Sequence, residues 1–197
     1  MVALKPKAES IYQMKVTLQH VRPPVWRRIQ ISGDVSLHRL HLALQTTTGW
    51  SNSHLYSFEI GDTAFSVHDP DNPWGIPMKD AKKARLGGLI RNEGLRLRYL
   101  YDFGDGWEHE VLVEKMLPAV PPLQYPVCLA GKRRCPPEDC GGPWGYADFL
   151  KAIRDRKHPE HKRMLEWIGG RFDPEAFDLD GINMLLKSGR NFGALGW

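Results

Sequence analysis

The chain has 197 residues, with 27 Lys and Arg against 23 Asp and Glu, a net charge of +4 and a pI near 9.0. It is long enough to bury a core, and its composition is that of a globular protein rather than a fibrous or low-complexity one. It has no apolar run of bilayer length, no signal-peptide core in its first 15 residues, and three cysteines, an odd number for a disulfide scaffold; these features point away from the membrane and toward a reducing, cytoplasmic setting.

Residues 11–21 alternate, with Tyr12, Met14, Val16, Leu18 and His20 on one face and Gln13, Lys15, Thr17 and Gln19 on the other, the pattern of a half-buried strand. Pro23-Pro24 breaks it, and a second strand over 26–31 is expected to pair with it antiparallel. Ser36 then opens a helix to about Thr48, with Leu37, Leu40, His41 and Leu44 on one stripe and Gly49 as its stop. Strands follow over 54–60 and 63–67, joined by the two-residue turn Gly61-Asp62. A Pro- and Asp-rich loop occupies 69–80. The next hairpin pairs 95–101 with 107–114 and turns Leu95, Leu97, Tyr99, Tyr101, Trp107, His109, Val111 and Val113 toward the core.

The remainder reads as helical, over 146–156, 158–167 and 181–187. The fold class that follows is α+β: an antiparallel sheet of hairpins with one N-terminal helix, then a C-terminal helical part. One domain over 1–197 is expected, with a β-rich part at 10–117, a Pro-rich connector at 116–127, a helical part at 128–187 and a loosely held tail at 188–197.

Three histidines fall on apolar faces: His41 on the helix, His54 on a strand and His109 on the hairpin. A buried imidazole has to be hydrogen-bonded or ligated. The hairpin loop adds Asp102, Asp105 and Glu108, although Asp105-Gly106 is also plain turn chemistry. The letters Asp102-Phe103-Gly104 are not a kinase magnesium motif, because no glycine-rich loop or catalytic-loop motif precedes them. Downstream, Glu138 and Asp139 sit between two prolines and two glycines. Carboxylates so constrained suit metal binding, an arginine partner, acid–base work or the capping of the helix that follows.

Cys128, Cys135 and Cys140, with His109 as a fourth ligand, form a conceivable zinc set, but they lack the tight pairs usual for zinc. The basic run Lys151, Arg154, Arg156, Lys157, Lys162 and Arg163 is interrupted by Asp155 and Glu160 and reads as a solvated helix surface before a nucleic-acid site.

These motifs occur together in a particular order: Val21-Arg-Pro-Pro-Val-Trp-Arg-Arg28, Leu40-His41, Gly49-Trp50, His54-Leu55, Tyr101-Asp-Phe-Gly-Asp-Gly-Trp-Glu-His109, Cys135-Pro-Pro-Glu-Asp139, Gly141-Gly142, Gly145-Tyr146 and Phe172-Asp-Pro-Glu-Ala-Phe177. In this the chain resembles the plasmid pRiA4b ORF-3-like family, some of whose members are labelled passenger proteins of an insertion sequence, over roughly residues 10–187. The resemblance implies a cytoplasmic α+β domain of plasmids or mobile elements without a settled activity. In the family pattern the position of Cys140 often holds another small residue such as valine, which moves weight from the cysteines to His54, Asp102, Asp105, His109, Glu138 and Asp139.

The expected function is an accessory or binding domain. Its pocket would be walled by Trp50, Tyr101 and Trp107 and lined by His54, Asp102, Asp105, His109, Glu138 and Asp139. It would recognise a partner protein or a small ligand, with nucleic acid ranked behind and no membrane. The alternative is a metal-dependent hydrolase or nuclease in which His and carboxylate ligands hold a divalent ion.

Overall fold

The alternation at the N-terminus becomes β1 (Ser10–Leu18), paired on one side with β2 (Trp26–Ser32). The structure is a computed structural model that describes residues 10–67, 77–120 and 124–189. β3 (Tyr56–Ile60) and β4 (Thr63–Ser66) form one hairpin, and β5 (Met78–Asp80) adds a short parallel strand to its edge. β6 (Arg96–Tyr101) and β7 (Trp107–Pro118) form the next, and β8 (Val127–Lys132) pairs with β2. The eight strands lie in the order β5-β4-β3-β6-β7-β1-β2-β8, antiparallel throughout except β4–β5.

The period of two divides the sheet sharply. One face buries Met14, Val16, Ile29, Ile31, Phe58, Leu97, Tyr99, Tyr101, Val111 and Val113. Helix α1 (Leu37–Thr48) covers this face with Leu37, Leu40 and Leu44. It starts where the Ser36 hydroxyl accepts from the Arg39 amide at 3.2 Å, and stops at Gly49, whose φ of 83° is the left-handed geometry a side chain resists. Burying each large apolar side chain is worth about 1.5–3 kcal/mol. The opposite face is a ladder of cross-strand charges: Arg28 grips Glu114 at 2.6 and 2.8 Å, Arg98 bridges Glu59 and Glu108, and Arg96 meets Glu110.

Four elements depart from the sequence expectation. The helical part does not begin at residue 128: β8 fills 127–132, held by β2 and by α5 (Leu179–Ser188), whose Asn183 amide donates to the Cys128 carbonyl at 2.9 Å and accepts from its N–H at 2.8 Å. A side chain thereby replaces a ninth strand at this edge. β7 continues to Pro118, four residues beyond the expected end. β5 occupies the last three residues of the loop expected at 69–80, and the short α2 (Leu86–Leu89) follows it; residues 69–76 lie outside the described part, as do 121–123 of the connector and 190–197 of the tail.

The remaining helices are α3 (Gly142–Arg154) and α4 (His161–Trp167), which meet where Phe149 stacks edge-on to Trp167 at 5.7 Å. Arg27 ties this part to the sheet. Only 4% exposed, it donates to the carbonyl of Thr47 in the last turn of α1 at 2.8 Å and to that of Lys132 at 3.2 Å, with its guanidinium 4.7 Å over Phe177. No helix among the described residues is long and apolar enough to cross a membrane.

Candidate functional site

The strand register brings several chain turns to one end of the sheet: Tyr56 pairs with Tyr101, Tyr101 with Trp107, His109 with Leu18, and Trp26 with Lys132. The loop after α1, the β6–β7 turn and the loop after β8 therefore emerge together. In the β6–β7 turn Asp102 takes a left-handed conformation (φ 57°) and its Oδ1 accepts from the amides of Gly104 at 2.9 Å and Asp105 at 3.3 Å. Asp and Asn tolerate that geometry because their short side chains bond their own loop.

Asp105 reaches the Cys135 loop. Its Oδ2 accepts from the Gly141 amide at 3.2 Å, and a Cβ placed on Gly142 would lie 2.2 Å from the Asp105 carbonyl oxygen. The two acidic turns are thus in backbone contact, which only glycine at 142 allows. The loop after α1 closes the arrangement. The Trp50 indole donates to the Pro136 carbonyl at 2.9 Å, and Glu138 accepts from the Ser51 amide at 2.7 Å and from the Tyr101 hydroxyl at 2.6 Å. The same hydroxyl accepts from the Ser53 amide at 3.1 Å. Burial first, and the hydrogen bond to Glu138 second, push the Tyr101 pKa up, so the phenol stays protonated and donates.

His54 does not lie in a strand or face the core as expected. It sits in the loop ahead of β3, half-buried, with Nε2 3.1 Å from Asp139 Oδ1 and 3.7 Å from Asp102 Oδ2. These three donors, from three separate segments, lie within 4.8 Å of one another. Asn52, Asp102 and Asp139 around them all carry positive φ, at 62°, 57° and 60°. Strain of this sort gathers at sites whose surroundings over-determine the backbone.

The aromatic residues expected to wall a pocket do something else. Trp50, Tyr101 and Trp107 are 2%, 0% and 0% exposed, with Trp50 stacked 5.1 Å from Tyr101 and tilted against Trp107 at 5.8 Å. They are a packed floor beneath the loops. His109 belongs to it too, 2% exposed, and burial lowers its pKa to about 4. Its Nδ1 lies 3.4 Å from the Tyr99 carbonyl, and its Nε2 is one of three buried side-chain atoms without a hydrogen-bond partner among the described residues, with Trp107 Nε1 and Gln45 Oε1.

His41 is the satisfied core histidine. Its Nε2 bonds Asn52 Oδ1 at 2.6 Å, its Nδ1 bonds the Tyr99 hydroxyl at 2.8 Å, and its ring stacks 3.6 Å from Tyr56. With Asn52 accepting, the proton resides on Nε2 and the Tyr99 hydroxyl donates to Nδ1.

The cysteines and His109 do not gather into a zinc set. The one cluster of three or more such ligands among the described residues is His54, Asp102 and Asp139. Cys128 donates to the Ala130 carbonyl at 3.6 Å, and Cys135 lies 3.5 Å from the Arg27 guanidinium. Burial raises the Cys128 thiol to about 11 and Cys140 to about 12, so neither is a ready thiolate.

Two clefts lie beside this junction or away from it. One of about 580 Å³ opens on the charged sheet face by Arg28 and Glu114. Another of about 430 Å³ lies between α3 and α4, over Phe149 and Trp167, and reaches the junction only at Asp139 and Cys140. Ser51, Asn52, Ser53 and Arg27 were not singled out from the sequence. The Ser-Asn-Ser run before His54 was the one available signal, since such residues bond their own backbone in loops.

The family model described as plasmid pRiA4b ORF-3-like protein matches residues 10–181. An uncharacterized protein, y4hQ of Sinorhizobium fredii (strain NBRC 101917 / NGR234), is 43% identical over 176 residues, 88% of this chain and 89% of its own length. The crystal structure of MM3350, a protein of unknown function from Methanosarcina mazei Go1, superposes with a TM-score of 0.77 at 35% identity, covering 88% of this chain and 97% of that one. With its alternating strands, its two acidic turns and its fold accounted for in this way, the chain belongs to the plasmid pRiA4b ORF-3-like protein family.

Proposed function

We propose that this protein is a binding domain whose ligand meets the junction of the two acidic turns, at His54, Asp102, Glu138 and Asp139. The observation that carries the reading is the convergence itself: Asp139 stands 3.1 Å from His54, and Glu138 accepts from Tyr101 at 2.6 Å, across 85 and 37 positions of sequence. Polar groups fixed in advance in this way bind without paying to order themselves. The reading takes 1–197 as one accessory domain acting in the cytoplasm, supported by one core cluster that runs from Tyr12 to Ile182 and by three free cysteines.

A hydrolase or nuclease reading needs, besides a cation, a base free to take a proton. Glu138 beside the cluster has both carboxylate oxygens engaged, so binding is the better account. Nucleic acid ranks behind: Lys151 pairs with Asp148 and Arg163 with Glu160 on an exposed helix surface.

A thermal-shift screen over divalent cations, nucleotides, amino acids and sugar phosphates tests the reading. At least one class should raise the melting temperature of the native protein and fail to raise that of the His54→Ala and Asp139→Asn variants. Hits that survive both substitutions, and that vanish instead with Trp167→Ala in the α3–α4 cleft, would contradict it.

A further inference from the structure

We infer that the ligand of this junction is a divalent metal ion, held by His54 Nε2, Asp102 Oδ2 and Asp139 Oδ1. The inference deepens the binding reading and rests on it for location.

Spacing is the first argument. At a metal–ligand distance of about 2.1 Å, neighbouring donors stand roughly 3.0–3.4 Å apart and opposite ones about 4.2 Å. Here the imidazole nitrogen is 3.1 and 3.7 Å from the two carboxylate oxygens, and all three donors fall within 4.8 Å. An ion between them asks for shifts of tenths of an ångström.

The second argument is Asp102 itself. The residue is 7% exposed. Its Oδ1 is consumed by the amides of Gly104 and Asp105, whereas its Oδ2 is turned into the cluster, 3.7 Å from His54, beyond hydrogen-bond reach. The Asp102 side chain keeps 11% of its exposure, and a carboxylate largely withdrawn from water gains from a positive charge placed beside it. Among the described residues neither Asp102 nor Asp139 pairs with a lysine or an arginine; His54 is the partner of both.

Preorganisation is the third. Asp102 and Asp139 hold left-handed backbone geometry, Ser53 beside His54 is pinned by Tyr101, and Gly141 beside Cys140 is pinned by Asp105. One imidazole and two carboxylates suit Zn²⁺ or Mn²⁺, and three protein ligands leave positions for water or for a donor group on a partner.

The test is titration calorimetry with MnCl2 and, separately, ZnCl2 on chelator-stripped full-length protein carrying no polyhistidine tag. Mn²⁺ guards against binding by thiols. One ion per chain is expected, with affinity reduced by more than about tenfold in both His54→Ala and Asp102→Asn. Asn at 102 keeps the left-handed turn and its amide contacts, removing only the charge. If that variant does not fold, His54→Ala decides, since its ring is half-exposed. No uptake of either ion, or uptake of equal strength in the variants, overturns the inference. Organic hits mapping to the junction without metal uptake would overturn it alone; silence in both experiments would overturn the binding reading as well.

Discussion

His41 and His109 show how burial decides a residue's role. Both lie under the sheet's covered face, and desolvation lowers their pKa values to about 3 and about 4. They are neutral in the folded protein at pH 7, while in the unfolded chain each takes up a proton near the ordinary value of about 6.5. The unfolded state therefore binds more protons below that pH. Stability is complete above pH 6.5 and falls as the pH drops toward 4, by about 1.4 kcal/mol per pH unit for each histidine. Urea melts at pH 7, 6 and 5 should show the midpoint falling, and His41→Gln should remove about half of the slope. A midpoint constant between pH 7 and 5 would contradict the burial of both rings.

At the scale of elements, the junction depends on the start of α3. Gly142 combines a φ of 68° with a contact to the Asp105 carbonyl that leaves no room for a methyl group. Gly142→Ala should cost about 2 kcal/mol or more, through left-handed strain and the separation of the two turns. Gly88→Ala in α2, where a Cβ meets nothing within 4 Å, should change stability by less than about 0.5 kcal/mol. Denaturant melts of the two variants side by side check this; equal midpoints would remove the close approach from the account. The hairpins and α1 were legible because their residues repeat at the element's own period and carry their own stops, Ser36 and Gly49 among them. β8 was not. Ala130-Gly131-Lys132 has no apolar alternation, and the strand exists through partners distant in sequence: β2, the Asn183 side chain, and Phe177, which packs where Gly131 lacks a Cβ. β5, three residues long and paired in parallel, gave no local signal either.

For the whole molecule, one sheet face is sealed by α1 and the aromatic floor, the other is a charge ladder, and the loops of chemical interest gather at one end. The alternation of Tyr99, Tyr101, Trp107 and His109 told which way they point. It could not tell a pocket wall from a packed floor, because inward-facing residues look the same in both. Nor could sequence place His54 outside its strand, since a loop residue next to an alternating run shares its pattern. The acidic turns themselves were visible as motifs. Their meeting was not, because it is fixed by strand register, by the bond from Tyr101 to Glu138 and by the contact of Asp105 with Gly142.

The most direct test of the central claim is paramagnetic broadening of backbone amide signals by substoichiometric Mn²⁺. The account predicts loss of signal centred at once on residues 51–55, 102–105 and 138–142, and its disappearance in His54→Ala. Broadening confined to the α3–α4 cleft, or confined to one of the three segments while the others stay sharp, would contradict it.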